Sequence, residues 1–190
     1  MPGGCCRPAQ TRTGDIVKHR LSAACAVILT VCVAGAAAAP PQGELRVPEN
    51  YRARFEYLGT WSIASTEEPG AKEMHIVYAS PGTVSAYKRS KSFPEGTVLI
   101  KEVVQTTTEP MTTGTVSRYG TLLGWFVMQK DSKNTHSGNP LWGDGWGWSW
   151  FDGDKPTRTS STDYRKDCLP CHQPAKNTDW IYLQGYPGLR

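Results

Sequence analysis

Thr97-Val98-Leu99-Ile100-Lys101-Glu102-Val103-Val104-Gln105 is the stretch on which the fold turns. It follows a Glu95-Gly96 turn, and it is rich in side chains branched at Cβ, which suit a pleated, half-buried surface better than a helix. A second run of this kind, Tyr119 to Lys130, contains Leu122, Leu123, Trp125, Phe126 and Val127. Upstream, Met74, Ile76 and Tyr78 alternate with His75 and Val77, the period of two that marks a strand from Met74 to Ala79. Downstream, Trp146, Trp148 and Trp150 alternate with Gly147 and Ser149, which puts three indoles on one strand face. Asp152-Gly153 then marks a turn. The segment from Asp131 to Asp144 is polar and glycine-dotted and reads as a loop.

The helical signals are short. Pro48 stands where a helix can open, with Tyr51, Phe55 and Tyr57 as its buried side. Ser80-Pro81 supplies a cap and a first-turn proline for a second helix. That helix places Val84 and Tyr87 on one face and Lys88, Arg89 and Lys91 in water, and it ends before Pro94. Together these readings predict an α+β domain: an antiparallel β-sheet, a few short helices, and a helix around the cysteines near the C-terminus.

Residues 1–39 read as a signal peptide. Lys18, His19 and Arg20 precede an apolar run from Leu21 that ends in Ala36-Ala37-Ala38-Ala39, with cleavage expected near Ala38 or Ala39. The competing reading, an uncleaved anchor, suits the run less well, because it is alanine-rich and at the lower limit of spanning length. Export leaves residues 40–190 as one domain, located in the periplasm without stable membrane insertion. Of the 21 basic residues, Arg7, Arg12, Lys18 and Arg20 belong to the leader, as does Asp15 among the 17 acidic ones. The remainder carries 17 basic and 16 acidic residues, a net charge of +1, which gives no reason to expect a nucleic-acid partner.

Four of the 6 cysteines, Cys5, Cys6, Cys25 and Cys32, also lie in the leader. The two that remain stand in Cys168-Leu169-Pro170-Cys171-His172, the most specific signal in the chain. Two thiols at this spacing reach the two vinyl groups of a porphyrin, and the adjacent histidine supplies an axial nitrogen to the iron. The expectation is one covalent haem c, held by Cys168 and Cys171 and ligated by His172. A redox dithiol uses the same spacing, but usually near the front of a chain and at a helix start. Structural zinc needs further ligands, for which only His75 and His136 are available after the leader.

The residues around this motif resemble the cytochrome P-460 and cytochrome c′-beta family, from about Leu45 to Arg190. The resemblance rests on Val47-Pro48-Glu49-Asn50-Tyr51-Arg52, on Val77-Tyr78, and on Gly96 to Glu102. It also rests on Cys168 to His172 followed by Ala175-Lys176-Asn177-Thr178-Asp179-Trp180. It implies a sheet-rich, usually dimeric fold and a five-coordinate haem with His172 proximal and an open distal side. Some members oxidise hydroxylamine and carry an extra covalent bond from a lysine to the haem; others bind nitric oxide or carbon monoxide in an apolar distal pocket. The resemblance places the cross-linking lysine at Lys101. It places Phe126 where oxidisers have a carboxylate, and His75 where they have arginine. A phenyl ring cannot accept protons, whereas histidine can donate a hydrogen bond or relay a proton.

Apart from that resemblance, Lys101 reads as a solvent-facing strand lysine and His75 as a core-edge histidine. The three tryptophans read as core first, with lining of the haem cavity or of a dimer face as the alternative, and Met74, Met111 and Met128, each able in principle to be a sixth ligand, as gap-filling core side chains. The function expected is binding or redox transformation of a small nitrogen species, nitric oxide or hydroxylamine, with a partner cytochrome exchanging electrons. Its rival is a six-coordinate electron carrier.

Overall fold

The structure is a computed structural model and describes residues 43–190; the signal-peptide reading falls outside the described residues. Six strands form one antiparallel sheet in the order β1-β2-β3-β4-β6-β5. They are β1 (Glu56–Ala64), β2 (Ala71–Ala79), β3 (Val98–Met111), β4 (Gly114–Lys130), β5 (Trp142–Gly143) and β6 (Trp146–Asp152). The helices are short: α1 (Tyr51–Arg54), α2 (Thr83–Ser90), α3 (Tyr164–Asp167) and α4 (Leu169–His172). Three 3₁₀ turns, Gln173–Thr178, Leu183–Gly185 and Pro187–Leu189, complete the C-terminus. The α+β architecture expected from the sequence is the one observed.

Strand alternation gives the sheet two different faces. Trp61, His75, Val77, Leu99, Lys101, Phe126, Met128 and Trp148 share one face, as the cross-strand pairs Trp61↔His75, Val77↔Lys101, Lys101↔Phe126, Leu99↔Met128 and Met128↔Trp148 require. The other face carries Ile100, Glu102, Trp125, Val127 and Phe151, packed under α1 and the chain before it through Leu45, Val47 and Tyr51. On the first face the cover is α2 and the C-terminal segment, through Tyr87, Tyr164, Trp180, Ile181, Tyr186 and Leu189. A β-bulge in β4 between Leu122 and Gly124 pushes Leu123 outward and restores register, so that Phe126 stands opposite Lys101.

Several local expectations change. The helix expected after Pro48 is a single turn, because Phe55 is already extended and Glu56 begins β1, a strand the sequence reading missed. Tyr51 is buried, but Tyr57 is 59% exposed on that strand. The cap of α2 is Gly82 in a left-handed conformation rather than Ser80. Its first turn is instead satisfied by the Glu56 carboxylate, which accepts from the Val84 amide at 2.8 Å. Met111 lies 55% exposed near the β3–β4 turn, not in the core. The helix expected around the cysteines is broken into single turns at Cys168.

The second face holds a buried carboxylate. Glu102 is fully inaccessible and accepts from Arg52 at 2.7 and 2.9 Å, from Tyr119 at 2.7 Å and from the Tyr51 hydroxyl. Trp125 donates to the same Tyr51 oxygen at 2.8 Å. Burial alone raises a carboxyl group's pKa, but the donors from Arg52, Tyr51 and Tyr119 outweigh it and hold Glu102 below its ordinary value. A depressed carboxylate contributes stability above its unfolded-state pKa and loses it as pH falls through its folded-state pKa. Glu102→Gln is therefore expected to destabilise the domain by roughly 1–3 kcal/mol at neutral pH. Its deficit against the native protein should shrink in acid, as denaturant unfolding at several pH values would record.

Candidate haem site

A cavity of about 470 Å³ lies between the first face of the sheet and the C-terminal segment. Its sheet wall includes Trp61, His75, Val77, Leu99, Lys101, Phe126, Met128 and Trp148, and its opposite wall includes Cys168, Cys171, His172, Ile181, Tyr182 and Tyr186. All six residues singled out from the sequence, Cys168, Cys171, His172, Lys101, His75 and Phe126, thus line one cavity. The other histidine among the described residues, His136, is elsewhere, paired with Asp131 at 3.1 Å and stacked on Trp142.

The cysteine segment is fixed from both sides. Asp163 caps α3 by accepting from the Arg165 amide at 3.0 Å, and Asp167 accepts from the amides of Thr162 and Asp163. Cys168 is buried and Cys171 exposed, and both are free thiols facing the cavity. Burial raises Cys168 to about 11, with Asp167 adding to the effect. Tyr182 closes the far side by donating to the Cys171 carbonyl at 2.7 Å.

His172 is oriented by its surroundings. Its Nδ1 donates to the Trp180 carbonyl at 2.7 Å, which leaves Nε2 as the unprotonated nitrogen, the state a metal-ligating imidazole requires. Burial lowers its pKa, and the Lys101 charge adds to that, against the Trp180 carbonyl. Trp148 packs edge-on against the ring at 5.1 Å and is itself stacked on Tyr164. Trp148 therefore belongs to the site as well as to the core, the alternative reading of the tryptophan stripe, while Trp146 is fully buried core, as expected.

The Trp180 carbonyl is aimed by an unusual backbone. Asp179 and Trp180 both have positive φ, 56° and 68°, uncommon for residues other than glycine. Asp179 is held there because its Oδ1 accepts from Lys130 Nζ at 2.8 Å and from Trp146 Nε1 at 3.1 Å. Lys130 and Trp146 are a cross-strand pair at the end of β4 and β6, so the sheet itself holds the turn. Neither Lys130 nor Asp179 was identified as a site residue from the sequence, although Asp179 lies in the Ala175 to Trp180 motif.

On the sheet wall, Lys101 is not the solvent-facing residue that its strand position alone predicted. Its Nζ lies 4.3 Å from the centre of the Phe126 ring, and no ion pair to it exists among the described residues. Burial lowers its pKa, opposed by the nearby Cys171, Cys168 and Glu73. Phe126 in turn packs against Trp150, ring centres 4.6 Å apart. His75 pairs with Glu73 at 3.2 Å. Of the methionines, Met128 lines the cavity, whereas Met74 and Met111 do not.

These residues fit a haem. The cavity is predominantly apolar, as a large flat cofactor requires. The two thiols and the available imidazole nitrogen stand on one wall, in the donor set of a c-type cytochrome. When bound, the haem supplies an iron centre for redox chemistry and for binding small ligands.

Removing the charge on Asp179 tests the clamp. Breaking a buried ion pair by truncating one partner costs about 3–5 kcal/mol, and the partial exposure of Asp179 places Asp179→Asn near the low end. The variant is expected to unfold at lower denaturant concentration. Its haem-loaded form should show a weakened iron–histidine stretching vibration, because the Trp180 carbonyl no longer holds His172.

No curated protein matches the chain. A family model, Cytochrome P460, matches residues 48–183. That span begins at Pro48 and ends at Leu183, and it contains the cavity-lining residues named above except Tyr186. With its two thiols, its oriented imidazole and this match, the chain belongs to the cytochrome P460 family, whose members are haem-binding cytochromes.

Proposed function

We propose that the chain is an exported, periplasmic mono-haem c-type cytochrome whose iron site is open to small nitrogen species, nitric oxide first and hydroxylamine second. Cys168 and Cys171 form the two thioethers, and His172 is the axial ligand. The observation that carries this reading is the convergence of Cys168, Cys171, His172 and Lys101 on one apolar cavity. Of the two side chains in that cavity that could fill the sixth position, Met128 lies beside Trp148, the ring packed against His172, and His75 has its Nε2 engaged with Glu73, which leaves Nδ1 as its one free ring nitrogen.

The distal wall sets the preference between ligands. Phe126, backed by Trp150, presents an aromatic ring where a carboxylate would serve an oxidase, and an apolar surface favours a neutral gas over water or an anion. Lys101 keeps the second activity available. Its amine enters the cavity, partly buried and without a carboxylate partner among the described residues, as a lysine bonded to the porphyrin would require. In that role the protein passes electrons from hydroxylamine to a partner cytochrome. Self-association as a homodimer, as the family resemblance implies, would cover apolar surface at Tyr57, Tyr119 and Leu123. Among the described residues no helix is long and apolar enough to cross a membrane.

The test is the spectrum of the mature haem-loaded protein before and after nitric oxide. A high-spin spectrum that converts to a nitrosyl form is expected. A low-spin spectrum insensitive to nitric oxide would mean a sixth protein ligand and an electron carrier. In a protein whose Lys101 is bonded to the haem, Phe126→Glu is expected to raise hydroxylamine oxidation by about 10²-fold, the lower range for a general base. An unchanged rate would refute the assignment of Phe126.

A further inference from the structure

The cavity has a polar exit that Phe126 does not block. Glu73 and His75 lie two residues apart on β2 and so point to the same face of the sheet. His75 lines the cavity; Glu73 lies one pleat farther along the strand and does not. The ring's Nε2 is 3.2 Å from Glu73 Oε2, and the two side chains keep 21% and 27% of their exposure. They therefore bridge the cavity and water. Beyond Glu73 stands the exposed Lys72, its Nζ 4.0 Å from the carboxylate.

We propose that Glu73 and His75 form a carboxylate–imidazole dyad that carries protons out of the cavity. Glu73 accepts Nε2–H and so fixes the tautomer, leaving Nδ1 as the ring's basic nitrogen. His75 is then a proton acceptor toward a cavity ligand and not a hydrogen-bond donor to it. This inference rests on the hydroxylamine arm of the proposed function. Two-electron oxidation there is NH₂OH → HNO + 2 H⁺ + 2 e⁻, with the electrons leaving to an electron-accepting cytochrome. Each proton is taken at Nδ1, the resulting imidazolium is stabilised by the Glu73 carboxylate, and the proton is released to water before the next is accepted.

The charges around the ring favour this role. Burial lowers the pKa of His75, with the free Lys101 amine from β3 adding to it where Lys101 is not bonded to the haem, while Glu73 opposes both; burial thus keeps the ring neutral and able to accept a proton at neutral pH. Across β1 its neighbour is the uncharged Trp61, and from the C-terminal segment Asp167 and Tyr182 face the same cavity. Ordered Glu-x-His spacing on a strand is the signal that could have identified Glu73 from the sequence.

The dyad is tested by the reduction potential of the haem-loaded protein as a function of pH, with hydroxylamine-driven haem reduction measured beside it. A protonated His75 near the haem favours the reduced form, so the potential falls as pH rises through the titration of the ring. Glu73→Gln removes the group that raises the His75 pKa. It is expected to move that inflection to lower pH and to slow hydroxylamine oxidation about 10²-fold, the effect of losing a positioned base. His75→Gln is expected to abolish the inflection and slow oxidation comparably. An inflection that Glu73→Gln leaves in place, or that survives His75→Gln, overturns the dyad. Failure of the native protein to oxidise hydroxylamine would instead overturn the hydroxylamine reading, while the potential measurement still reports whether the two residues are coupled.

Discussion

The ion pair between Lys130 and Asp179 is the contact on which the rest of the site depends. A sheet face this apolar must be covered, and here much of the cover is irregular chain after Cys168 rather than a long helix. Such a segment is held internally by separate turn bonds, such as those from the Trp180 amide to the Ala175 carbonyl and from the Ile181 amide to the Thr178 carbonyl, and not by the continuous ladder of a long helix. Lys130, at the end of β4, supplies an attachment point fixed by the sheet, and Trp146 on β6 adds a second donor to the same oxygen. Asp179 thereby keeps a strained backbone in place, and the strain aims the Trp180 carbonyl at His172. Burial of tryptophan, tyrosine and isoleucine side chains supplies the adhesion; the ion pair supplies the geometry.

The two faces of the sheet divide the remaining work. Lys101 and Glu102 are consecutive residues, and strand alternation sends them to opposite sides. The lysine enters the cavity, and the glutamate is buried among Arg52, Tyr51 and Tyr119. The ion network beneath β3 thus fixes the strand from which Lys101 projects. Close backbone approach serves the same end at β1, where a Cβ on Gly59 would meet the Gly185 carbonyl at 2.2 Å. Only glycine allows the C-terminal chain to lie that close to the sheet and close the cavity beside Trp61.

Much of this was legible in the sequence because it depends on local pattern. The strands over Thr97 to Gln105, Tyr119 to Lys130 and the tryptophan repeat follow from Cβ branching and a period of two. The haem motif follows from thiol spacing. What stayed hidden depends on partners distant in the chain. β1 was missed because Tyr51, Phe55 and Tyr57 imitate a helical face, and only pairing with β2 makes Glu56–Ala64 a strand. Lys101 looked solvent-facing because nothing local shows that a C-terminal segment covers its face. The clamp at Asp179 joins residues 49 positions apart, and no periodicity reports that.

The covalent haem is the central claim, and the mass of the denatured haem-loaded protein, with peptide mapping, tests it most directly. The account predicts that one haem's mass stays with the polypeptide after denaturation and maps to the peptide containing Cys168 and Cys171. Replacing both cysteines by alanine should abolish that attachment at Cys168 and Cys171. A denatured chain at the mass of the bare polypeptide, with its haem extracted freely into acidified solvent, would contradict the account.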